Sequence, residues 1–304
     1  MHPRNPFNNP PNFSELSQAY PALKPYVTQS SSGWTIDFHN SHAQRRLTEA
    51  LLHKFFGLSL STPENRLCPP VPNRMNYILW LEDIIRATYL ASRRPETIRG
   101  IDIGTGASAI YPLLGCRTNP TWTFVGTDID DISLKSAQKN IESNSLKERI
   151  DLIKSDPSGS ILPMTLHDDI IYDFTMCNPP FYSDKDEVRQ SAEAKQIGPN
   201  AVCTGADVEM ITPGGESAFV CKMVHESINF GAKCRWYTSM LGKMSSLNDV
   251  VKMLREHKID NYAITEFVQG QTRRWAIAWS FDDIHLPDTI AQGCIARDTQ
   301  EHTF

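Results

Sequence analysis

The chain has 304 residues and a mass of 34.3 kDa, enough for one large domain or a domain with a smaller module. Hydrophobic residues at 40% and charged residues at 21% supply an ordinary core and exclude disordered or fibrous classes. A net charge of −5 excludes nucleic-acid binding through bulk positive charge, so any such site must be a local groove.

Residues 1–33 are rich in Pro, Asn and Ser, and their first dozen are expected to form a flexible arm, disordered or folding on a partner. The N-terminus has no apolar run of the secretory kind. Nowhere does an apolar stretch approach the roughly 20 residues of a membrane span. "SGWTIDFHN" predicts a short strand, and Ala43 to Phe56 an amphipathic helix with Leu47, Leu51, Leu52 and Phe55 inward. The proline-rich "STPENRLCPPVPNR" marks a boundary near residue 70, dividing an N-terminal module (1–70) from a second domain (71–304).

A regular alternation follows. "NYILWLEDIIRATYLAS" predicts a helix, "RGIDI" a strand, Ser108 to Leu114 the start of a helix, and "TFVGTDI" a strand. "DISLKSAQKNIESN" predicts a helix with Ile132, Leu134, Ala137 and Ile141 on its apolar face. "RIDLIKS" and "IIYDFTMC" are strands, the latter with Ile170, Ile171, Phe174, Met176 and Cys177 suited to cover on both faces. Helices over 215–230 and 246–257 flank the strand "CRWYTSML", and "YAITEFVQG" and "RRWAIAWSF" form a hairpin around "GQT". The order implies an α/β fold: a doubly wound, mostly parallel sheet closed by a terminal antiparallel hairpin.

"GIDIGTGASAIYPLLG" puts Gly104 and Gly106 in a tight turn between the first strand of this sheet and a helix, with Ala109 third in a G-x-G-x-x-G/A pattern. The pattern suits NAD, a flavin or S-adenosylmethionine. The next strand ends in Asp128, at the spacing where a carboxylate accepts ribose hydroxyls. The alternative for Asp128 is a helix N-cap, a role Asp130 or Asp131 can also fill, and the spacing from the glycine turn favours ribose.

The strand "IIYDFTMC" runs directly into Asn178, Pro179, Pro180 and Phe181. An exocyclic aromatic amine such as adenine N6 is a poor nucleophile, because its lone pair is delocalised into the ring. Two acceptors aimed at its hydrogens favour the pyramidal, nucleophilic form. The Asn178 side-chain oxygen and the Pro179 carbonyl supply them, proline geometry holds the second in place, and Phe181 offers a stacking face. An unstacked base is the natural substrate. With the glycine turn and Asp128, this motif points to an amine methyltransferase.

Seven cysteines (Cys68, Cys116, Cys177, Cys203, Cys221, Cys234, Cys294) are scattered without a C-x-x-C pair, which argues for a reducing compartment and against zinc or a disulfide framework. Charge is uneven. Residues 128–187 hold thirteen acidic and six basic residues, a local −7, while 1–48 carry a local +2. Arg4, Lys24, Arg45 and Arg46, with Arg273 and Arg274 of the hairpin, are the candidates for any contact with nucleic acid.

"GIDIGTGASAIYPLLG", "CNPPFY", "PNRMNYILWLEDII", "RWYTSMLGK" and "TEFVQGQTRRWAIAWSF" together resemble the methyltransferase-like 16 family over about residues 2 to 282. That family comprises eukaryotic U6 small nuclear RNA adenine-N6 methyltransferases, related to bacterial enzymes acting on ribosomal RNA. The resemblance implies a Rossmann-like class I methyltransferase fold and methyl transfer from S-adenosylmethionine to adenine N6 in structured RNA. It implies an N-terminal module that grips that RNA, and a nuclear or cytoplasmic protein, monomeric by default. It also implies catalytic Asn178, Pro179, Pro180 and Phe181, and cofactor contacts from Arg74, Gly104, Ser108, Asp128, Ser160 and Asn178. Arg74 would pair with the cofactor carboxylate, and Asp156 is a second candidate, for the adenine.

The chain departs from the family in three places. Gly159 in "SDPSGS" stands near a family Lys able to reach into the site, "DEVRQSAEAKQIGPNAVCTG" is only sparsely basic, and the chain ends about twenty residues past the hairpin, without the C-terminal RNA-binding domains of vertebrate members. Rival readings are a glutamine methyltransferase of release factors, a DNA adenine methyltransferase, and an RNA-binding protein with no catalysis.

Overall fold

The computed structural model describes residues 1–31, 33–90, 94–163, 170–195, 205–269 and 272–291. The N-terminal part carries helix α1 (Phe13–Ala19), an antiparallel pair β1 (Val27–Ser30) and β2 (Gly33–Ile36), and helix α2 (Ser41–Phe56). Asn12 caps α1 and Asn40 caps α2, each side chain accepting two backbone N–H groups. A proline-rich crossover then leads into α3 (Val71–Thr88).

The main sheet is built by β3 (Ile98–Ile103), α4 (Ile110–Thr118), β4 (Trp122–Asp128), α5 (Asp131–Ser143), β5 (Ile150–Lys154) and β6 (Tyr172–Cys177). Helices α6 (Lys185–Lys195), α7 (Asp207–Met210) and α8 (Gly215–Phe230) precede β7 (Cys234–Leu241). The chain continues through α9 (Met244–Glu256), β8 (Tyr262–Gln269), β9 (Thr272–Trp279) and the turn α10 (Asp288–Ala291). The expected loop between β8 and β9 falls partly outside the described residues, as do Cys203, Cys294 and most of the segment after α6.

The seven strands lie in the order β5-β4-β3-β6-β7-β9-β8. Strands β3 to β7 are parallel, and β9 runs antiparallel to both β7 and β8. This is the expected doubly wound sheet with its terminal hairpin, except that the later hairpin strand takes the interior place. Composition explains it: Ala276, Ile277, Ala278 and Trp279 are buried on both faces, whereas β8 keeps Glu266 and Gln269 half-exposed at the edge. Ile101 and Ile103 join α8 and α9 on one face of the sheet, while Phe174 and Met176 join α3 and α4 on the other.

Three expectations are corrected. The first residues are not a flexible arm: Phe7 is 3% exposed, its ring 5.0 Å from that of Phe55, and the Asn5 amide donates to Pro72 and Asn76 of α3 at 2.9 and 2.7 Å. The Met1 ammonium donates to the Val268 carbonyl at 2.9 Å, and Arg4 pairs with Glu82 and Asp83 at 2.6 Å. One aromatic anchor with satisfied polar neighbours outweighs the polar composition. The apolar face of α5 is also displaced, with Ile132 exposed and Ser133, Ser136 and Asn140 buried. The partner of that face is polar backbone: Asn140 accepts from Ser61 N–H and donates to the Ser61 carbonyl, both at 2.9 Å. Finally, Phe55 and Ile171 remain exposed.

The N-terminal helices share one core with α3 and the sheet, from Phe7 and Leu16 through Leu52 to Ala278. Phe7→Ala should therefore release the N-terminal segment, since truncating a buried Phe removes about 3–5 kcal/mol. Arg4→Ala should not, because its half-exposed ion pairs are worth about 1 kcal/mol or less. Limited proteolysis within residues 1–20 reads the difference, and equal cleavage rates for the two variants would contradict it.

Candidate active site

Beyond the carboxyl edge of the sheet, where β3 and β6 part, lies a cavity of about 440 Å3. Its size suits a small-molecule ligand, and its place is the switch point of an open α/β sheet. The ends of three strands reach it through Gly104, Asp128 and Asn178. Gly104 and Gly106 turn the chain at φ 69° and 65°, in the left-handed region that favours glycine, and Ala109 at φ 49° caps α4. A Cβ at Gly104 would meet nothing within 4 Å, so torsion and not crowding selects glycine there.

Asp128 accepts from Gly106 N–H on one oxygen and Asp130 N–H on the other, both at 2.9 Å. Burial raises its pKa, against the pull of those two N–H groups. It does not cap α5. Asp130 does that, accepting from Ser133 N–H at 2.9 Å while Arg66 pairs with it at 2.9 Å.

Asn178 leaves the buried end of β6 with its Oδ1 buried and without a hydrogen-bond partner among the described residues. Pro180 lines the cavity beside it and Pro179 is buried. Phe181 stands apart from the cavity wall, its ring centroid 5.4 Å from the Arg274 guanidinium. Burial, then the charge of Arg74, lowers the pKa of Arg274.

Arg74 is buried in the first turns of α3 and lines the cavity. Its Nη1 donates to Tyr111 Oη at 2.8 Å, and among the described residues its Nε has no partner and no carboxylate forms an ion pair with it. Ser108 is buried at the cavity wall, its hydroxyl accepting from Ile110 N–H at 3.3 Å. Ser160 also lines the cavity, but its hydroxyl is engaged with Glu226 at 2.7 Å and the Leu162 carbonyl at 3.1 Å. Asp156 is exposed at the wall and accepts from the backbone and hydroxyl of Ser158, which lower its pKa.

Sequence reasoning missed several residues. Asp102, inside β3, is fully buried, and among the described residues neither carboxylate oxygen has a hydrogen-bond partner. Burial pushes its pKa up to about 7, with Thr105 opposing, Asp128 adding and Arg74 opposing. Its position two residues before Gly104 was the available signal. Leu67 and Pro69 of the crossover line the cavity, so that segment does more than separate two modules. Glu209 of α7 closes the same side, accepting from Leu67 N–H at 3.0 Å and Ala206 N–H at 2.9 Å, with its pKa raised by burial. Lys222 of α8 reaches the wall and donates to the Gly159 carbonyl at 3.0 Å.

Two of the basic candidates are structurally spent. Arg4 is paired to α3, and Arg45 is buried, donating to Thr62, Glu64 and Arg66. Lys24 is exposed, Arg46 pairs with Glu49 at 2.6 Å, and Arg273 with Glu266 at 3.1 Å.

The strand order, the glycine turn and the crevice at the switch point define the Rossmann-like fold of class I methyltransferases. The chain belongs to an RNA methyltransferase family, whose model matches residues 1–283. It is 42% identical over 294 residues to RNA N(6)-adenosine-methyltransferase METTL16 of Homo sapiens, covering 94% of this chain and 52% of that protein. It is 43% identical over 255 residues to the U6 small nuclear RNA (adenine-(43)-N(6))-methyltransferase of Schizosaccharomyces pombe, covering 84% and 64%. The chain thus spans about half to two-thirds of the length of these relatives. The human METTL16 catalytic domain in complex with MAT2A 3'UTR hairpin 1 superposes with a TM-score of 0.85 at 42% identity, covering 94% of this chain and 98% of that one. The N-terminal domain of human METTL16 in complex with SAH gives 0.77 at 41% identity, covering 93% and 99%.

Asp102 supplies a pH test. A carboxyl held at about 7 instead of its ordinary 3.8 penalises the folded state in its ionised form. The penalty is absent well below pH 3.8, grows between 3.8 and about 7, and is complete above. Asp102→Asn should accordingly raise the unfolding midpoint at pH 8 relative to its effect at pH 4. Equal shifts at both pH values would contradict this.

Proposed function

We propose that this protein methylates N6 of an adenine in structured RNA with S-adenosylmethionine as donor, U6 small nuclear RNA being the substrate and the nucleus its place of action. The observation that carries the reading is the buried, unpartnered Oδ1 of Asn178 at the cavity wall. A buried acceptor left unmade costs about 1–3 kcal/mol, so its partner comes with the substrate.

The residues around it fit the cofactor. Arg74, at the cavity wall with a free Nε, faces the methionine carboxylate, and the buried Asp102, next in sequence to the lining residues Ile103 and Gly104, favours its ammonium by charge. Asp128 takes the ribose hydroxyls, and Gly104, Gly106 and Ser108 let the backbone approach. Ser160 shapes the wall through its backbone, since its hydroxyl is already engaged. Bound there, S-adenosylmethionine supplies the electrophilic methyl of its sulfonium.

The chain's own residues then handle the base. Asn178 Oδ1 and the Pro179 carbonyl accept the two N6 hydrogens, drawing the lone pair out of the ring. Pro179 and Pro180 fix that geometry without any side chain having to be deprotonated beforehand. Phe181 stacks the extruded adenine, backed by Arg274. RNA backbone is gripped at Lys24, Arg46, Arg273 and Arg274, with residues 1–70 as the gripping module and 71–304 as the catalytic one. The matched complex of a relative with an RNA hairpin supports a structured substrate. The name of the fission-yeast relative supports U6.

Asn178→Ala should reduce single-turnover methylation of a U6 hairpin by at least about 100-fold, the scale of losing one preorganised polar contact to the reacting group. RNA affinity should stay within about threefold, since stacking and phosphate contacts remain. Phe181→Tyr should retain activity and Phe181→Ala should lose it. A rate above a tenth of wild type for Asn178→Ala would sink the assignment, and mapping labelled methyl across total RNA decides between U6 and ribosomal RNA.

A further inference from the structure

Helix α8 carries two glutamates, Glu216 and Glu226, roughly three turns or about 15 Å apart. Each is engaged mainly with backbone N–H groups, Glu226 adding a long ion pair to Lys222. Glu216 is 1% exposed and accepts from Gly242 N–H at 2.7 Å and Lys243 N–H at 2.8 Å, one on each oxygen. Gly242 is wedged between this carboxylate and Phe181: a Cβ there would stand 3.2 Å from Glu216 Oε2 and 3.2 Å from Phe181 Cδ1. The same helix end abuts the backbone of Phe181, whose carbonyl would lie 3.5 Å from a Cβ on Gly215.

Glu226, at the other end, accepts from Ile161 N–H at 3.1 Å, Leu162 N–H at 2.9 Å and the Ser160 hydroxyl at 2.7 Å. One turn earlier, Lys222 holds the Gly159 carbonyl at 3.0 Å, with its ammonium 3.7 Å from Glu226. These contacts fix the loop after β5, which lines the cavity through Asp156, Gly159, Ser160 and Ile161. Between its ends α8 presents Ala218 and Phe219 to the same cavity.

We infer that α8 is a two-ended clamp that sets the distance between the two reactants. Glu226 positions the loop beneath the cofactor, and Glu216 positions the ring that receives the base. The inference rests on the proposed reading of the cavity as the cofactor site. Backbone N–H groups ordinarily meet carbonyls, so a carboxylate taking two of them at once ties irregular chain to the rigid helix. A glutamine keeps the shape but offers only one acceptor oxygen, and sets an NH2 against the second N–H.

The test uses the full chain, with thermal unfolding followed for each variant. Glu226→Gln should weaken S-adenosylhomocysteine binding by calorimetry about tenfold, the scale of one charge-assisted hydrogen bond, leaving hairpin RNA affinity unchanged within error. Glu216→Gln should slow single-turnover methylation at saturating donor about tenfold or more, with S-adenosylhomocysteine affinity unchanged. Lys222→Met and Gly242→Ala test the same two ends should either glutamine variant fail to fold. Parallel losses in both readouts for variants of both ends, or no loss in either, would overturn the clamp. Wild-type protein that does not bind S-adenosylhomocysteine would overturn the cofactor reading first.

Discussion

Between β3 and β6 the chain winds away in opposite directions, and neither following segment can cover the gap between the two strand ends. Each residue of the site takes its position from that parting. The glycine turn leaves β3 on one side, and the Asn-Pro-Pro-Phe segment leaves β6 on the other. Asp128 arrives from β4, one strand over, in register with the turn it binds. Flanking packing makes this rigid: α3 and α4 seal one face of the sheet, and α8 and α9 the other. β3 and β6 can end in unsatisfied groups because β6 is buried throughout and β3 at every residue but Arg99.

The crevice concentrates cost. Asp102 has no hydrogen-bond partner among the described residues, Asp128 is raised by burial, and Arg274 is lowered by burial and the charge of Arg74. None of these groups is arranged to suit the protein alone. A zwitterion with its own cation and carboxylate would meet them with opposite charges, while a dinucleotide would bring two phosphates to a turn already lined with acid. The same arithmetic favours S-adenosylmethionine over NAD or a flavin, which the glycine pattern left open.

Much of this was legible in the sequence where the signal was local. Strand positions followed from apolar runs, and Gly104, Asp128 and Asn178 announced themselves at the strand ends. Misreadings arose where a partner distant in sequence decided the outcome. Ile132 looked inward on helical period, yet α5 faces the backbone around Ser61, and a buried Asn140 serves that partner better. Polar composition at residues 1–12 suggested disorder, but Phe7 finds Phe55 and Phe56 on α2. Arg45 looked like a free cation and is a buried brace of the crossover. Leu67, Glu209 and Lys222 carry no motif at all; only the folded chain brings them to one cavity. The two glutamates of α8 were invisible for the same reason, since their partners are backbone groups that sequence does not distinguish.

On the proposed reading, an RNA methyltransferase with a net charge of −5 faces a physical difficulty that the site itself addresses. The sheet domain is acidic from residue 128 to 187, and would repel a phosphate backbone laid across it. Arg274 breaks that field beside the proposed stacking ring: half-buried over Phe181, it has no carboxylate ion-pair partner among the described residues. A phosphate there would find positive charge beside the stacking ring and acid elsewhere. On the proposed reading, repulsion over most of the domain contributes to selectivity as much as attraction at the mouth does. It discourages extended duplex from lying across the sheet domain, and leaves a structured RNA to reach the ring with one unstacked adenine.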